Sequence, residues 1–80
     1  MSNPEKMLIE YFKEKAEATV NSQTLLLEEK IIDSMGVVEL IAFIEGEFGL
    51  ELTDDDLTVE NFQTIETITA LILKRDRERV

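Results

Sequence analysis

The chain has 80 residues, a formal net charge of −10, and neither cysteine nor histidine. This length fits one small domain with a modest hydrophobic core. Without cysteine there is no disulfide or thiolate metal site, and without histidine the commonest metal ligand and the usual general base are missing. Most enzyme mechanisms are therefore excluded.

The negative charge lies in the middle of the chain. No basic residue occurs between Lys30 and Lys74, where ten acidic residues lie, whereas the rest of the chain holds eight acids and eight bases. Such a field excludes nucleic acid and anionic membranes as natural partners, and it favours fast, salt-sensitive association with basic protein surfaces. Acidity alone could serve solubility, but the one-sided distribution weakens that explanation.

The N-terminal residues carry neither the basic nor the apolar part of a secretion signal, and no apolar run is long enough to cross a bilayer. We therefore expect a cytoplasmic protein with no membrane insertion.

The first predicted helix runs from about Pro4 to Thr19. Asn3 is suited to cap it, and proline is tolerated in a first helical turn. The polar segment 21–24 then breaks the helical pattern. The connection that follows is too apolar for a free linker, so we expect residues 25–27 and 31–32 to pack over the core.

The second predicted helix begins near Asp33 or Ser34 and ends near Phe48, with Gly49 as its C-terminal cap. Helical spacing places one group of apolar residues in a core stripe: Val37, Leu40, Ile41, Ile44 and Phe48. A second group falls on a neighbouring face: Met35, Val38 and Ala42. Glu39, Glu45 and Gly46 border that face, which is either the edge of a wide core stripe or an exposed docking face beside Ser34.

Thr53 and the three aspartates 54–56 predict a short third helix that carries Leu57. The triplet lacks the alternating ligands and the glycine of a calcium loop, so we expect no metal site. Thr64 caps a fourth predicted helix whose inward residues are Ile65, Ile68, Leu71 and Ile72. The basic residues beyond Leu73 suit the negative end of that helix: Lys74, Arg75, Arg77 and Arg79.

These elements predict an all-α fold: one antiparallel bundle of three main helices plus one short helix. It forms a single domain over residues 1–80, with a core from about 4 to 73 and a charged tail, 74–80, that frays. We expect a monomer.

Ser34 is the one side chain whose surroundings suggest a reaction. An Asp-Ser pair at a helix start is by itself a capping signal, but the returning Glu or Gln of a capping box is missing after both residues. A Ser-Lys dyad with Lys30 conflicts with the position of Lys30 before the helix and with the lack of a glycine-rich elbow. Hydrolase activity is therefore poorly supported.

The chain resembles the acyl carrier and aminoacyl or peptidyl carrier domains, which bear 4′-phosphopantetheine on a serine. The resemblance extends from the first helix through Ile72. It rests on the segments 33–35, 38–40, 45–49 and 62–65, together with Leu52 and the aspartate turn. The motif Asp33-Ser34-Met35-Gly36 looks particularly like discrete carriers such as the D-alanyl carrier proteins, whereas fatty-acid carriers usually have a small residue in place of Ile32 and an acid in place of Gly36.

The resemblance implies a four-helix carrier fold, and it implies that a phosphopantetheinyl transferase attaches the group from coenzyme A to Ser34, with Asp33 capping the helix and positioning the serine. The protein would carry acyl or aminoacyl thioesters and catalyse nothing itself. The resemblance also implies docking through Met35, Val38, Glu39, Ala42 and Glu45. Partner enzymes with basic surfaces would include an adenylating ligase, acyltransferases or synthases.

Two other functions remain open from the sequence. A non-prosthetic helical module could use the same acidic face only for protein binding, and a small cation sensor would need a calcium site at the aspartate turn. The identity of the cargo is not encoded in the chain, because the enzymes that load a carrier mostly select it.

Overall fold

A computed structural model describes residues 3–78, in which three α-helices and two short 3-10 turns are joined by loops. The helices are α1 (Pro4–Lys15), α2 (Ser34–Phe48) and α3 (Ile65–Glu78), and the 3-10 turns are Asp54–Asp56 and Glu60–Phe62. The described residues contain no strand, so the predicted all-α class is confirmed. Within this part of the chain, no helix is both long and apolar enough to span a bilayer.

Helix α1 is capped as predicted, but it ends earlier than predicted. The Asn3 side chain accepts hydrogen bonds from the backbone N–H groups of Glu5 and Lys6. The helix stops at Lys15 rather than near Thr19 because Glu17 adopts a left-handed conformation with φ of 51°. The Ala18 N–H donates back to the Phe12 carbonyl oxygen at 3.2 Å, which closes the last turn.

The long connection between α1 and α2 packs over the core, as its apolar composition predicts. Leu26 is fully buried and Ile32 is 8% exposed. The connection is tied to the start of α3 and to the residues just before it, because the Glu66 N–H donates to the Ser22 carbonyl oxygen at 3.0 Å and the Leu26 N–H donates to the Gln63 carbonyl oxygen at 2.9 Å. The N–H groups of Ile31 and Ile32 in turn donate to the Leu26 carbonyl oxygen at 2.9 and 3.3 Å, which holds the chain immediately before α2.

The core is formed by side chains from every helix. Helix α2 contributes Leu40 and Ile44, which are fully buried, while the other members of its predicted core stripe are partly buried. Tyr11 of α1 and Phe43 of α2 stack with ring centroids 4.4 Å apart. All four predicted inward residues of α3 are buried, and so is Phe62 of the second 3-10 turn. The core therefore holds α2 against α1 and α3.

The region after α2 differs from the predicted short third helix. It forms two separate 3-10 turns, and Leu57 and Val59 between them are 40% and 70% exposed.

The predicted cap of the last helix is present, since Thr64 Oγ1 accepts from the Thr67 N–H at 3.1 Å. Helix α3 continues to Glu78 rather than ending near Leu73, because Arg75 is held by Asp56 and Glu78. Arg79 lies outside the described residues.

Candidate functional site

Asp33 caps the N-terminus of α2. It has extended backbone angles, and its Oδ1 accepts a hydrogen bond from the Gly36 N–H at 2.8 Å. Its carbonyl oxygen accepts the first helical bond, from the Val37 N–H at 2.9 Å. The cap therefore uses the N–H groups of Gly36 and Val37 and leaves those of Ser34 and Met35 open.

Ser34 is the first residue of α2, and its side chain is exposed. Within the part of the chain that the structure describes, its hydroxyl makes no hydrogen bond, to Lys30 or to any other group. A helix N-terminus with open N–H groups favours a phosphate, through the helix dipole and through direct hydrogen bonding. The position therefore fits a phosphodiester on Ser34 Oγ, whereas a Ser-Lys dyad is not formed.

Gly36 fits a narrow space in the first turn of α2. A Cβ atom at this position would lie 3.3 Å from Ile32 Cβ and 3.4 Å from Asp33 Oδ1. A side chain at residue 36 would therefore push on Ile32 and would touch the capping carboxylate at ordinary van der Waals distance. An acidic side chain would also place a second negative charge beside Asp33. This packing gives a physical reason for the combination of Ile32 and Gly36.

The predicted docking face of α2 is exposed. Met35 is 70% exposed, Val38 is 60% exposed, and Ala42 and Glu39 also lie at the surface. Glu39 acts electrostatically on α1: burial chiefly raises the pKa of Tyr11, and the negative charge of Glu39 raises it further. The three apolar side chains and Glu39 thus present an apolar surface with an acidic neighbour next to Ser34.

Glu45 differs from the other predicted docking residues. It is half-buried, and its Oε2 accepts a hydrogen bond from the Leu52 N–H at 3.1 Å. This bond ties the end of α2 to the loop that follows. Glu45 therefore has a structural contact in addition to any contact that it makes with a partner.

An apolar groove lies directly beside Ser34. Its volume is about 240 Å³, and we call it the Ser34 groove. Its lining comes from three parts of the chain: Leu27, Ser34, Val37, Leu57, Thr58, Val59 and Phe62. Most of these side chains are apolar, so the groove offers an apolar surface next to the Ser34 hydroxyl. Apart from Ser34, its residues were not predicted as part of the site; Val37 was predicted only as a core residue of the second helix.

The aspartate turn is held by an ion pair. Asp56 is 4% exposed, and its Oδ1 lies 2.6 Å from Arg75 Nη2. Its Oδ2 accepts from the Thr53 N–H at 3.0 Å and from the Thr53 hydroxyl at 3.2 Å. The hydrogen bond from Arg75 chiefly holds the pKa of Asp56 below its ordinary value. The same pair raises the pKa of Arg75.

The described residues contain no group of three or more acidic side chains arranged to hold a metal ion. Asp56 is engaged by Arg75 and Thr53, so the three aspartates do not act as one set of ligands. The ion pair could not be predicted from the sequence, because Asp56 and Arg75 are 19 positions apart and no local pattern connects them.

Residues 8–72 match the protein family described as "Phosphopantetheine attachment site". The acyl carrier protein of Buchnera aphidicola subsp. Baizongia pistaciae is 36% identical over 58 residues, which is 72% of each chain. Aminoacyl carrier protein 2 of Bradyrhizobium diazoefficiens is 36% identical over 52 residues, which covers 60% of this chain and 58% of that protein. The family match includes the whole of α2 and the Ser34 groove.

Proposed function

The chain belongs to the protein family defined by a phosphopantetheine attachment site, and from this premise we propose that Ser34 is the residue that bears the group. The family and its acyl and aminoacyl carrier relatives make the chain a carrier protein with covalently attached 4′-phosphopantetheine. The observation that carries the assignment to Ser34 is its exposed, unbonded hydroxyl at the capped N-terminus of α2.

The attachment is a transfer from coenzyme A that a separate phosphopantetheinyl transferase catalyses. Ser34 Oγ forms the new bond to phosphorus, the phosphoanhydride bond of coenzyme A breaks, and adenosine 3′,5′-bisphosphate leaves. The hydroxyl proton passes to a base of the transferase, because Asp33 Oδ1 is occupied by the Gly36 N–H and the chain has no histidine. Asp33 positions Ser34 by fixing the first turn of α2.

The attached group supplies a flexible arm ending in a thiol, on which an acyl or aminoacyl cargo is held as a thioester. The open N–H groups of Ser34 and Met35 receive the negative charge of the phosphodiester. The Ser34 groove offers apolar surface to the cargo end of the arm. The chain itself would catalyse no step of loading or transfer, because the reacting thiol belongs to the attached group and the catalytic groups would come from the partner enzymes.

Carrier proteins work with synthases and ligases, and we assign docking to the exposed face of α2. Met35, Val38 and Ala42 would enter an apolar groove of the partner, and Glu39 would meet its basic rim. Glu45 belongs to this surface through the carboxylate oxygen that Leu52 does not use. The proposed partners are the transferase, an adenylating ligase, and acyltransferases or synthases, with a cytoplasmic site of action.

The test is attachment followed by intact mass measurement. The purified protein is incubated with coenzyme A and a broad-specificity transferase, and we expect it to gain the mass of one phosphopantetheinyl group. Ser34→Ala should gain nothing. Ser22→Ala is the matched control, because Ser22 is a half-buried serine outside the site, and it should be modified like the wild type. An unmodified wild type, or equal modification of Ser34→Ala, would refute the proposal.

A further inference from the structure

One wall of the Ser34 groove is not part of any helix. Residues Leu57, Thr58 and Val59 line the groove between the two 3-10 turns, and all three are exposed. Val59 is 70% exposed, so burial of its side chain contributes little to holding the segment in place, and Leu57, at 40% exposure, contributes only part of its side chain to the packing. The shape of this wall therefore also depends on polar contacts.

Asp56, which immediately precedes the wall, supplies those contacts. Its carbonyl oxygen accepts from the Thr58 N–H at 3.0 Å and from the Asn61 side-chain amide at 2.8 Å. Its carboxylate accepts from the Thr53 N–H, from the Thr53 hydroxyl and from Arg75. One residue thus joins the start of the wall, its end and helix α3.

Arg75 is the part of this arrangement that comes from outside the loop. It reaches Asp56 from α3, and it is held on its other side by Glu78, whose Oε1 lies 2.8 Å from Arg75 Nη1. A buried carboxylate is costly to keep without a charged partner. If Arg75 is removed, the Asp56 carboxylate moves toward water and is solvated there, and residues 57–59, which follow Asp56 in the chain, move with it.

We propose that the Asp56–Arg75 pair positions the wall of the Ser34 groove and thereby sets how well an apolar thioester cargo is sheltered from nucleophiles in solution. This inference rests on the proposed carrier function. Arg75 is a positioning residue here, since it acts on the groove only through Asp56.

The first test compares two cargoes on the same protein. Wild type and variants are loaded by a broad-specificity transferase with acetyl- or hexanoyl-phosphopantetheine from the corresponding coenzyme A thioester, and cleavage by hydroxylamine is timed. A hexanoyl chain is long enough to use the apolar wall, and an acetyl group offers almost no apolar surface to it. We expect Arg75→Gln to speed hexanoyl cleavage severalfold while acetyl cleavage is unchanged.

Three variants control this comparison. Arg77→Gln removes the same charge from an exposed position two residues away and should behave as wild type. Arg75→Lys keeps the charge and should restore part of the protection. If Arg75→Gln does not fold, Asp56→Ala takes its place, because it removes every carboxylate bond to Thr53 and Arg75 and leaves no unpaired buried carboxylate, and it should also speed hexanoyl cleavage. A hexanoyl-to-acetyl rate ratio equal to that of the wild type would overturn the inference.

A second test needs no attached group, so it separates the inference from the proposed function. Hydrogen exchange of the unmodified protein should be faster at the amides of Leu57, Thr58 and Asn61 in Arg75→Gln than in Arg77→Gln. The amides of Leu40 and Ile44 in α2 should exchange alike in both variants. Equal exchange of the loop amides would overturn the inference. Failure of the wild type to accept any phosphopantetheine would instead refute the assignment of Ser34.

Discussion

The contribution of the Asp33 cap to stability can be measured by substituting Asp33 at the start of α2 and comparing a substitution near its end. Asp33 contributes one side-chain hydrogen bond, to the Gly36 N–H at 2.8 Å, and one negative charge at the positive end of the helix. Loss of an N-cap hydrogen bond costs about 1 kcal/mol, and loss of a charge there costs about 0.3–1 kcal/mol at low salt. Its carbonyl bond to the Val37 N–H survives any substitution. We therefore expect Asp33→Ala to lower the free energy of unfolding by about 1–2 kcal/mol.

Asp33→Asn separates the two contributions. Asparagine keeps a good capping oxygen but lacks the charge. Asp33→Asn should therefore lower the free energy of unfolding by only about 0.3–1 kcal/mol at low salt, and its stability should approach that of the wild type at high salt. Urea denaturation at two salt concentrations measures both effects, and each kcal/mol lost corresponds to a fall in melting temperature of about 4–8 °C for a domain of this size.

A matched control comes from the other end of the same helix. Glu47 is exposed in the last turn of α2, where a negative charge is unfavourable. Glu47→Gln changes the net charge as Asp33→Asn does, yet it should be neutral or slightly stabilising. If Asp33→Asn and Glu47→Gln shift stability in the same direction by the same amount, general charge repulsion explains both, and the capping argument is refuted.

Three other predictions concern charge. Glu39→Gln should slow association with a basic partner enzyme at low salt but not at high salt, and should move the Tyr11 pKa back toward its ordinary value; unchanged rates would exclude steering by Glu39. Arg75 lowers the pKa of Asp56, so the Asp56 carboxyl binds a proton less readily in the folded state than in the unfolded chain. The stability that the ionised Asp56 contributes is therefore full well above pH 3.8, and it is lost as pH falls through the lower pKa of the folded state. The stability difference between wild type and Asp56→Asn should narrow in acid, and a constant difference would refute the argument. Finally, salt or divalent cations should raise the melting temperature, since the net charge is −10; an unchanged value would count against repulsion within the folded state.

The parts of the fold that follow local rules were predictable from the sequence. The bounds of α2 could be predicted because both of its caps lie next to it in the chain, and Gly49 indeed adopts φ of 64°. The inward residues of α3 could be predicted because their spacing matches the helical period. The exposed position of Ser34 at the helix start follows from the same cap.

The end of α1 could not be predicted in this way. Residues 16–19 continue the helical pattern, and no glycine marks a stop. The chain leaves the helix because Glu17 takes a positive φ and Val20 is buried in the core. A turn that tertiary packing imposes on an ordinary residue leaves no signal in local sequence.

The Ser34 groove was missed for a related reason. Its lining comes from the connection before α2, from α2 itself and from the loop after it. Local patterns identified Leu57 only as a residue of a short helix. Because a groove between elements depends on how those elements pack, its lining appears only when the chain is folded.

The N-terminus of α2 explains how one short segment can be both a helix start and the proposed attachment point. A capping side chain that bonded to the first open N–H groups would compete with a phosphate for them. Asp33 instead bonds to the N–H of Gly36, and its carbonyl takes that of Val37, so those of Ser34 and Met35 stay open beside the hydroxyl. Gly36 also packs closely on Ile32, since a Cβ there would lie 3.3 Å from Ile32 Cβ. The residues flanking Ser34 therefore stabilise the helix while leaving free the groups that an attached phosphodiester requires.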